Sequence, residues 1–310
     1  MNTPTLYVSW WQFSHRKPAR PEVVWAEFIT RTKPVVLSNN SFFASLVAFF
    51  FIATSSLAEA DQSSNKASEQ PPAVTESVLS VNDPIYFIAG GQGDTKARLQ
   101  FSFKYRIFDE DSEFIDKSSW MRGFHFAYTQ TSLWNLSASS APFEDSSYKP
   151  SFFWDFYTQK SDYWPAFIRT GYAHESNGRA EEASRGIDTL FFWPFWGGKW
   201  HEQDWLIGPK IYAYVSKSDG NEDIEEYRGY TDLYIRYGHE DDWLLSTTLR
   251  RAGKNRNMIE MDISLPVRKK IFSRTGGYIY LQVFHGYGES LLSYNEKQDL
   301  QLRIGFAIVR

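Results

Sequence analysis

From Lys96 onward the chain alternates between polar and apolar residues with a period of two. The even positions from Lys96 to Arg106 are Lys, Arg, Gln, Ser, Lys and Arg, while the odd positions are Ala97, Leu99, Phe101, Phe103, Tyr105 and Ile107. The final segment repeats the pattern, with Leu300, Leu302, Ile304, Phe306 and Ile308 opposing Gln301, Arg303, Gly305, Ala307 and Val309. Side chains of a strand point alternately to its two faces, so these segments predict strands with one apolar face. A helix, with its period of 3.6, would scramble both patterns.

Such segments number about twelve between turn signals: near 85–90, 97–108, 120–134, 150–160, 164–176, 185–197, 204–216, 227–238, 242–252, 256–266, 277–287 and 299–309. Most match the roughly 9–11 residues that a tilted strand needs to cross a bilayer, and an even count lets an antiparallel sheet close without a free edge. The fold class expected is therefore all-β, an antiparallel transmembrane β-barrel of twelve strands over residues 84–310. A soluble sandwich would bury its apolar faces, usually with shorter strands and fewer Trp and Tyr. Polar stretches such as "SKSDGNEDIEEYRG", Ser216 to Gly229, read as solvent-facing connections.

The first sixty residues follow a different pattern. An apolar run from Phe42 to Ala53 leads into small residues ending Ala58-Glu59-Ala60, the h-region and cleavage pattern of a secretory signal peptide with an extended n-region. Residues 61–83, polar and Pro-containing at first, read as a flexible N-terminal segment. With five Lys/Arg and three Asp/Glu in 1–60, the remainder holds 28 basic and 34 acidic residues, a net charge of −6. No basic surplus is available to neutralise phosphates, which argues against a nucleic-acid partner. The absence of cysteine rules out disulfides, thiolate metal sites and a thiol nucleophile. Aromatic residues make up 18% of the chain although its mean hydropathy is negative. That combination suits a barrel with aromatic girdles and a polar interior.

One stretch carries candidate chemistry: "GYAHESNGRAEEASRGIDTLFF", Gly171 to Phe192. On the segment 164–176, Trp164, Ala166, Ile168, Thr170, Tyr172, His174 and Ser176 share the more apolar, lipid-type face. Arg169 and Glu175 fall on the lumenal one. If the hairpin is centred on Glu181, His174 lies opposite Asp188, and directly opposed Cβ atoms sit about 4.5–5.5 Å apart. Ser176 as nucleophile, His174 as general base and Asp188 orienting the imidazole would make a serine hydrolase. Residue types and spacing alone equally fit interface residues beside an ordinary Asn-Gly turn. A second grouping, His285 and Ser290 in "HGYGES", lacks the nucleophile-elbow pattern and reads as Gly-rich turn chemistry.

"GYAHESNGRAEEASR" resembles the active-site hairpin of the outer membrane phospholipase A family, whose pattern is a His-x-Ser-Asn-Gly-Arg run followed by a Ser-Arg pair. Tyr128 to Trp154 and "GYGESLLSYN", Gly286 to Asn295, are similar to two further blocks of that family, in the same order. The resemblance implies a bacterial outer-membrane barrel that hydrolyses glycerophospholipids at either acyl position, requires Ca²⁺ and is active as a homodimer. It implies catalytic roles for His174 and Ser176, with Asp188 where the family has Asn. The calcium ligands it implies are the main chain of Arg179, the side chain of Ser184 and the main chain of Ser140 from a partner subunit, with Glu181 at an acidic position linked to the metal. Gln130 falls on the family's dimer contact. The alternative is a non-catalytic barrel, a pore or structural protein with its charges on the lumenal face. Lys96, Arg98, Lys104 and Arg106 do lie on that face, where they read as a polar network filling a narrow barrel.

Overall fold

The computed structural model describes residues 77–108, 112–158, 163–239, 241–267 and 276–310; the signal segment expected at 1–60 lies outside them. Among these residues, thirteen strands form one antiparallel sheet: β1 (Leu79–Ser80), β2 (Ile85–Gly90), β3 (Lys96–Arg106), β4 (Phe124–Asn135), β5 (Phe143–Tyr157), β6 (Phe167–Ser176), β7 (Gly186–Trp200), β8 (Gln203–Lys217), β9 (Thr231–Gly238), β10 (Leu244–Arg251), β11 (Asn257–Pro266), β12 (Tyr278–Gly286) and β13 (Gln298–Val309). From β2 on, each strand pairs with its sequence neighbour, and β13 returns to β2 through Ile304↔Ala89 and Phe306↔Phe87. β1 and β2 lie end to end along one edge of β3, with Leu79↔Tyr105 and Gly90↔Lys96. The closed wall therefore has the twelve staves expected. Closure satisfies every ladder within the sheet, which a membrane core demands.

The two faces are inverted relative to a soluble protein. On β13, Leu302 and Ile304 are each 57% exposed while Arg303 between them is 2% exposed. Phe87, Phe152, Phe156, Phe192 and Ile211 likewise stand outside, so the apolar face meets lipid and the polar face fills the barrel. Several interior cations are paired. Arg169 donates twice to Asp155, Nε to Oδ1 at 2.7 Å and Nη2 to Oδ2 at 2.8 Å, and Lys104 Nζ lies 3.6 Å from the same carboxylate. Arg98 meets Glu260 at 2.6 Å and Arg303 meets Glu289 at 2.6 Å. Such pairs hold only while both members remain, since a lone buried charge is heavily penalised. Lys96, expected in this network, bridges to Glu144 at 2.7 Å near its rim.

Three segments differ from the sequence reading for physical reasons. β5 begins at Phe143 rather than near 150, because Glu144 to Ser147 are polar on both faces while the ladder to β4 continues regardless. β9 begins at Thr231 rather than 227: a helical turn occupies Glu225–Arg228, and Gly229, at φ +61°, ends it in the left-handed region. The 218–229 connection is not simply solvent-facing. Ile224 is fully buried with Ile187, Leu291 and Tyr294, closing one mouth of the barrel. Burial and the bond from its hydroxyl to Asp223 hold the Tyr294 phenol well above the usual tyrosine range. Ahead of β2, Leu79 and Ser80 pair with β3, and Thr129 Oγ1 donates to Asp83 Oδ2 at 2.6 Å. Residues ahead of the boundary expected at 84 thus pair with the barrel wall.

Candidate active site

β6 and β7 pair in the register that the Glu181-centred hairpin required, from Phe167↔Phe195 through His174↔Asp188 to Ser176↔Gly186. The hairpin lies at the end of the barrel opposite the start of β2 and the finish of β13, since successive strands reverse direction. Along β6, Phe167, Arg169 and Ala173 are buried inward, which sends Tyr172, His174 and Ser176 to the outer wall. Gly171 faces inward where any Cβ would collide with the carbonyl of Phe152, at 2.1 Å. That close approach brings β6 tight against β5.

His174 Nδ1 and Asp188 Oδ1 are 2.8 Å apart, with side-chain exposures of 41% and 25%, so the pair sits on the wall rather than in the lumen. Tyr172 Oη donates to the same Oδ1 at 2.5 Å. With Nδ1 engaged by the carboxylate, Nε2 is the nitrogen left to face a nucleophile. Ser176 follows two residues later on the same face, about 7 Å along the strand, and makes no hydrogen bond to His174 in this structure. Apo catalytic contacts are commonly longer than those of the reacting complex.

The 177–185 loop is organised by Asn177, which is 3% exposed. Its Nδ2 donates to the Ala183 carbonyl at 2.8 Å, and its Oδ1 accepts from the Arg185 and Arg179 amides at 2.9 and 3.4 Å. Gly178, at φ +63°, packs its Cα against the ring of Tyr148, leaving no room for a side chain. A second asparagine, Asn221, is fully buried and exchanges two 3.0 Å bonds with the Gly186 backbone, clamping the start of β7. The Arg179 side chain reaches the Glu144 carbonyl and lies 3.7 Å from Asp145. Asp145 in turn accepts from the Leu292 amide at 2.9 Å, tying this loop to the one between β12 and β13.

The remaining sequence-derived residues fall as follows. Ser184 and Glu181 belong to the same loop, Ser184 donating its amide to the Glu181 carbonyl at 3.0 Å; Glu181 is exposed at φ +54°. Ser140, at φ +64°, lies in the β4–β5 turn at the same barrel end. Gln130 stands on the outer wall and accepts from Tyr128 Oη at 3.1 Å. It belongs to a row crossing five strands, Phe101–Gln130–Tyr148–Ser176–Gly186. Ser290 and His285 form no dyad: Ser290 bonds Ser293 at 2.9 Å, and His285 belongs to β12. Tyr172, Asn221 and Asp145 carry no sequence signal that marks them, and Asn177 stands out only within the Asn-Gly turn and the His-x-Ser-Asn-Gly-Arg run.

Among the described residues, no group of three His, Asp or Glu side chains is placed to hold a metal. The loop does supply oxygen donors of the kind a hard cation takes. The Arg179 carbonyl and the Ser184 hydroxyl accept no hydrogen bond among the described residues, and the Asn177 side chain fixes the segment that carries both. This donor set fits calcium and not a thiolate- or imidazole-loving metal.

The sequence profile of the family described as phospholipase A1 matches residues 54–309. The phospholipase A1 of Escherichia coli K12 is 34% identical over 194 residues, an alignment covering 59% of this chain and 60% of that protein. The chain thus spans under two thirds of the length of that curated relative. The solved outer membrane phospholipase A from Escherichia coli superposes with a TM-score of 0.61 at 26% identity, covering 78% of this chain and 94% of that one. A Salmonella typhi outer membrane phospholipase, solved as a dimer with bound calcium, gives a TM-score of 0.62 at 25% identity, covering 76% and 94%.

Proposed function

The chain belongs to the phospholipase A1 family, and on that premise we propose that this bacterial outer-membrane barrel is a calcium-dependent serine hydrolase of glycerophospholipid acyl esters, at the sn-1 and sn-2 positions. The observation that carries the reading is the His174–Asp188 contact of 2.8 Å on the lipid-facing wall, with Ser176 on the same face of the same strand. A site in that position meets phospholipid laterally, already concentrated in two dimensions.

In this reading Ser176 Oγ attacks the ester carbonyl carbon while its proton passes to His174 Nε2. Asp188 accepts from Nδ1–H throughout and stabilises the imidazolium. His174 then returns the proton to the departing alkoxide of the lysophospholipid, leaving an acyl-serine. Water, deprotonated by the same nitrogen, attacks that ester; the bond to Ser176 Oγ breaks, the imidazolium returns its proton to that oxygen, and the fatty acid leaves. Calcium, when bound by the Arg179 carbonyl, the Ser184 hydroxyl and the Ser140 carbonyl of a partner subunit, with Glu181 nearby, supplies Lewis-acid stabilisation of oxyanion charge. Gln130 supports the dimer: a polar amide on a lipid-facing wall is costly unless a partner surface receives it.

The assay is fatty-acid release from phosphatidylcholine–detergent micelles by the purified barrel. Release with Ca²⁺, and its loss with a chelator and in Ser176→Ala, is the expected result. Equal activity in Ser176→Ala would remove the mechanism.

A further inference from the structure

We infer that Tyr172 is a positioning residue for the catalytic carboxylate, the group that fixes which oxygen of Asp188 the imidazole meets. The inference rests on the serine-hydrolase reading above and deepens it. Tyr172 precedes His174 by two residues and shares its outward face; its direct cross-strand neighbour is Leu190, so Asp188 is its diagonal neighbour. Its hydroxyl crosses that diagonal to donate to Asp188 Oδ1 at 2.5 Å, the same oxygen that faces His174 Nδ1 at 2.8 Å.

One carboxylate oxygen accepts two hydrogen bonds comfortably, so these two donors fill Oδ1 and define the carboxylate's rotation. Asp188 needs such a fixture. Among the described residues its side chain bonds only to His174 and Tyr172, and it lies on a wall that faces hydrocarbon. A carboxylate held by one imidazole alone is free to pivot and exchange oxygens. A second, charge-assisted donor anchors it and offsets part of its desolvation. The tyrosine ring is well suited to the task, since two torsions set its hydroxyl and the ring itself is at home against lipid.

An exposed tyrosine near the rim of a barrel is also what an aromatic girdle contains. A girdle role belongs to the ring, however, whereas the bond to Asp188 belongs to the hydroxyl alone. Tyr172→Phe separates them, because it keeps the ring. In the micelle assay this variant should run as a folded, heat-modifiable barrel. Its kcat should fall roughly tenfold, equivalent to about 1.4 kcal/mol of transition-state stabilisation, with KM unchanged. In an Asp188→Ala background the same substitution should change kcat less than twofold, because no carboxylate remains to be positioned. Wild-type kcat in Tyr172→Phe would overturn the inference. So would an undiminished tenfold loss in the Asp188→Ala background, which would place the hydroxyl on substrate or membrane instead. Ser176→Ala, measured alongside, reports separately on the hydrolase reading.

Discussion

Replacing Asp188 by Asn tests whether the orienting group works as a hydrogen-bond acceptor or only as a charge. The carboxylate oxygen that meets His174 Nδ1 at 2.8 Å also receives the Tyr172 hydroxyl at 2.5 Å. An amide carbonyl in the same place can accept both bonds. A hydrogen bond to a charged acceptor contributes about 1.5–3 kcal/mol and a neutral one about 0.5–1.5. The difference, roughly 1 kcal/mol, corresponds to about a fivefold loss of rate. Returning a neutral group to a lipid-facing wall recovers part of that through cheaper desolvation. Asp188→Asn should therefore keep activity within about tenfold of wild type. Asp188→Ala removes the acceptor altogether, frees the imidazole to rotate and should lose on the order of a hundredfold. Both variants would be assayed for fatty-acid release at saturating Ca²⁺, with folding verified by heat-modifiable electrophoretic mobility. If the Asn variant proves as inactive as the Ala variant, an acceptor without charge cannot do the work and the reasoning fails. If the Ala variant matches wild type, Asp188 is not the orienting group at all.

Two further substitutions probe the supports of the site. Asn177→Ala deletes the bonds to Ala183, Arg185 and Arg179 that shape the proposed cation loop. It should raise the Ca²⁺ concentration for half-maximal activity about tenfold, roughly the equivalent of one net hydrogen bond; an unchanged calcium titration would refute the assignment of that loop. Arg169→Met leaves Asp155 with Lys104, at 3.6 Å, as its remaining cation partner among the described residues. By breaking a buried pair it should cost about 3–5 kcal/mol, seen as a lower urea midpoint for barrel unfolding in detergent, and an unshifted midpoint would show the interior too wet for the pair to matter.

Much of the architecture was readable because the membrane imposes a simple constraint. Leu302 and Ile304 must face lipid while Arg303 faces in, so strand positions and faces follow from alternation alone. That same alternation, with one assumption about the turn's centre, placed His174 opposite Asp188. Legibility ended where alternation ended. Glu144 to Ser147 continue a strand whose two faces are both polar, near a barrel mouth where lipid no longer selects side chains. Ile224 and Asn221 are buried by loops that fold over the opening, a non-local contact with no periodic signature. Tyr172 looked like any outward aromatic, because its significance lies in a diagonal reach that depends on side-chain torsions rather than on strand period.

The closed register has one more consequence for the site. A soluble hydrolase holds its acyl chain in a concave cleft, whereas the outside of a barrel is convex and offers none. The row Phe101–Gln130–Tyr148–Ser176–Gly186 puts Gln130 two strands from Ser176, roughly 10 Å away at ordinary strand spacing. A second wall that seats itself on Gln130 must therefore lie beside Ser176 as well, and the two convex surfaces together enclose a groove that neither has alone. The Ser140 carbonyl, proposed to reach the other copy's cation site, lies in the β4–β5 turn at the same barrel end as the 177–185 loop. In the dimer proposed above, pairing of two copies would complete the acyl groove and the cation site in a single step. A lone barrel would then leave the surrounding lipid intact, although His174 and Asp188 already stand in contact.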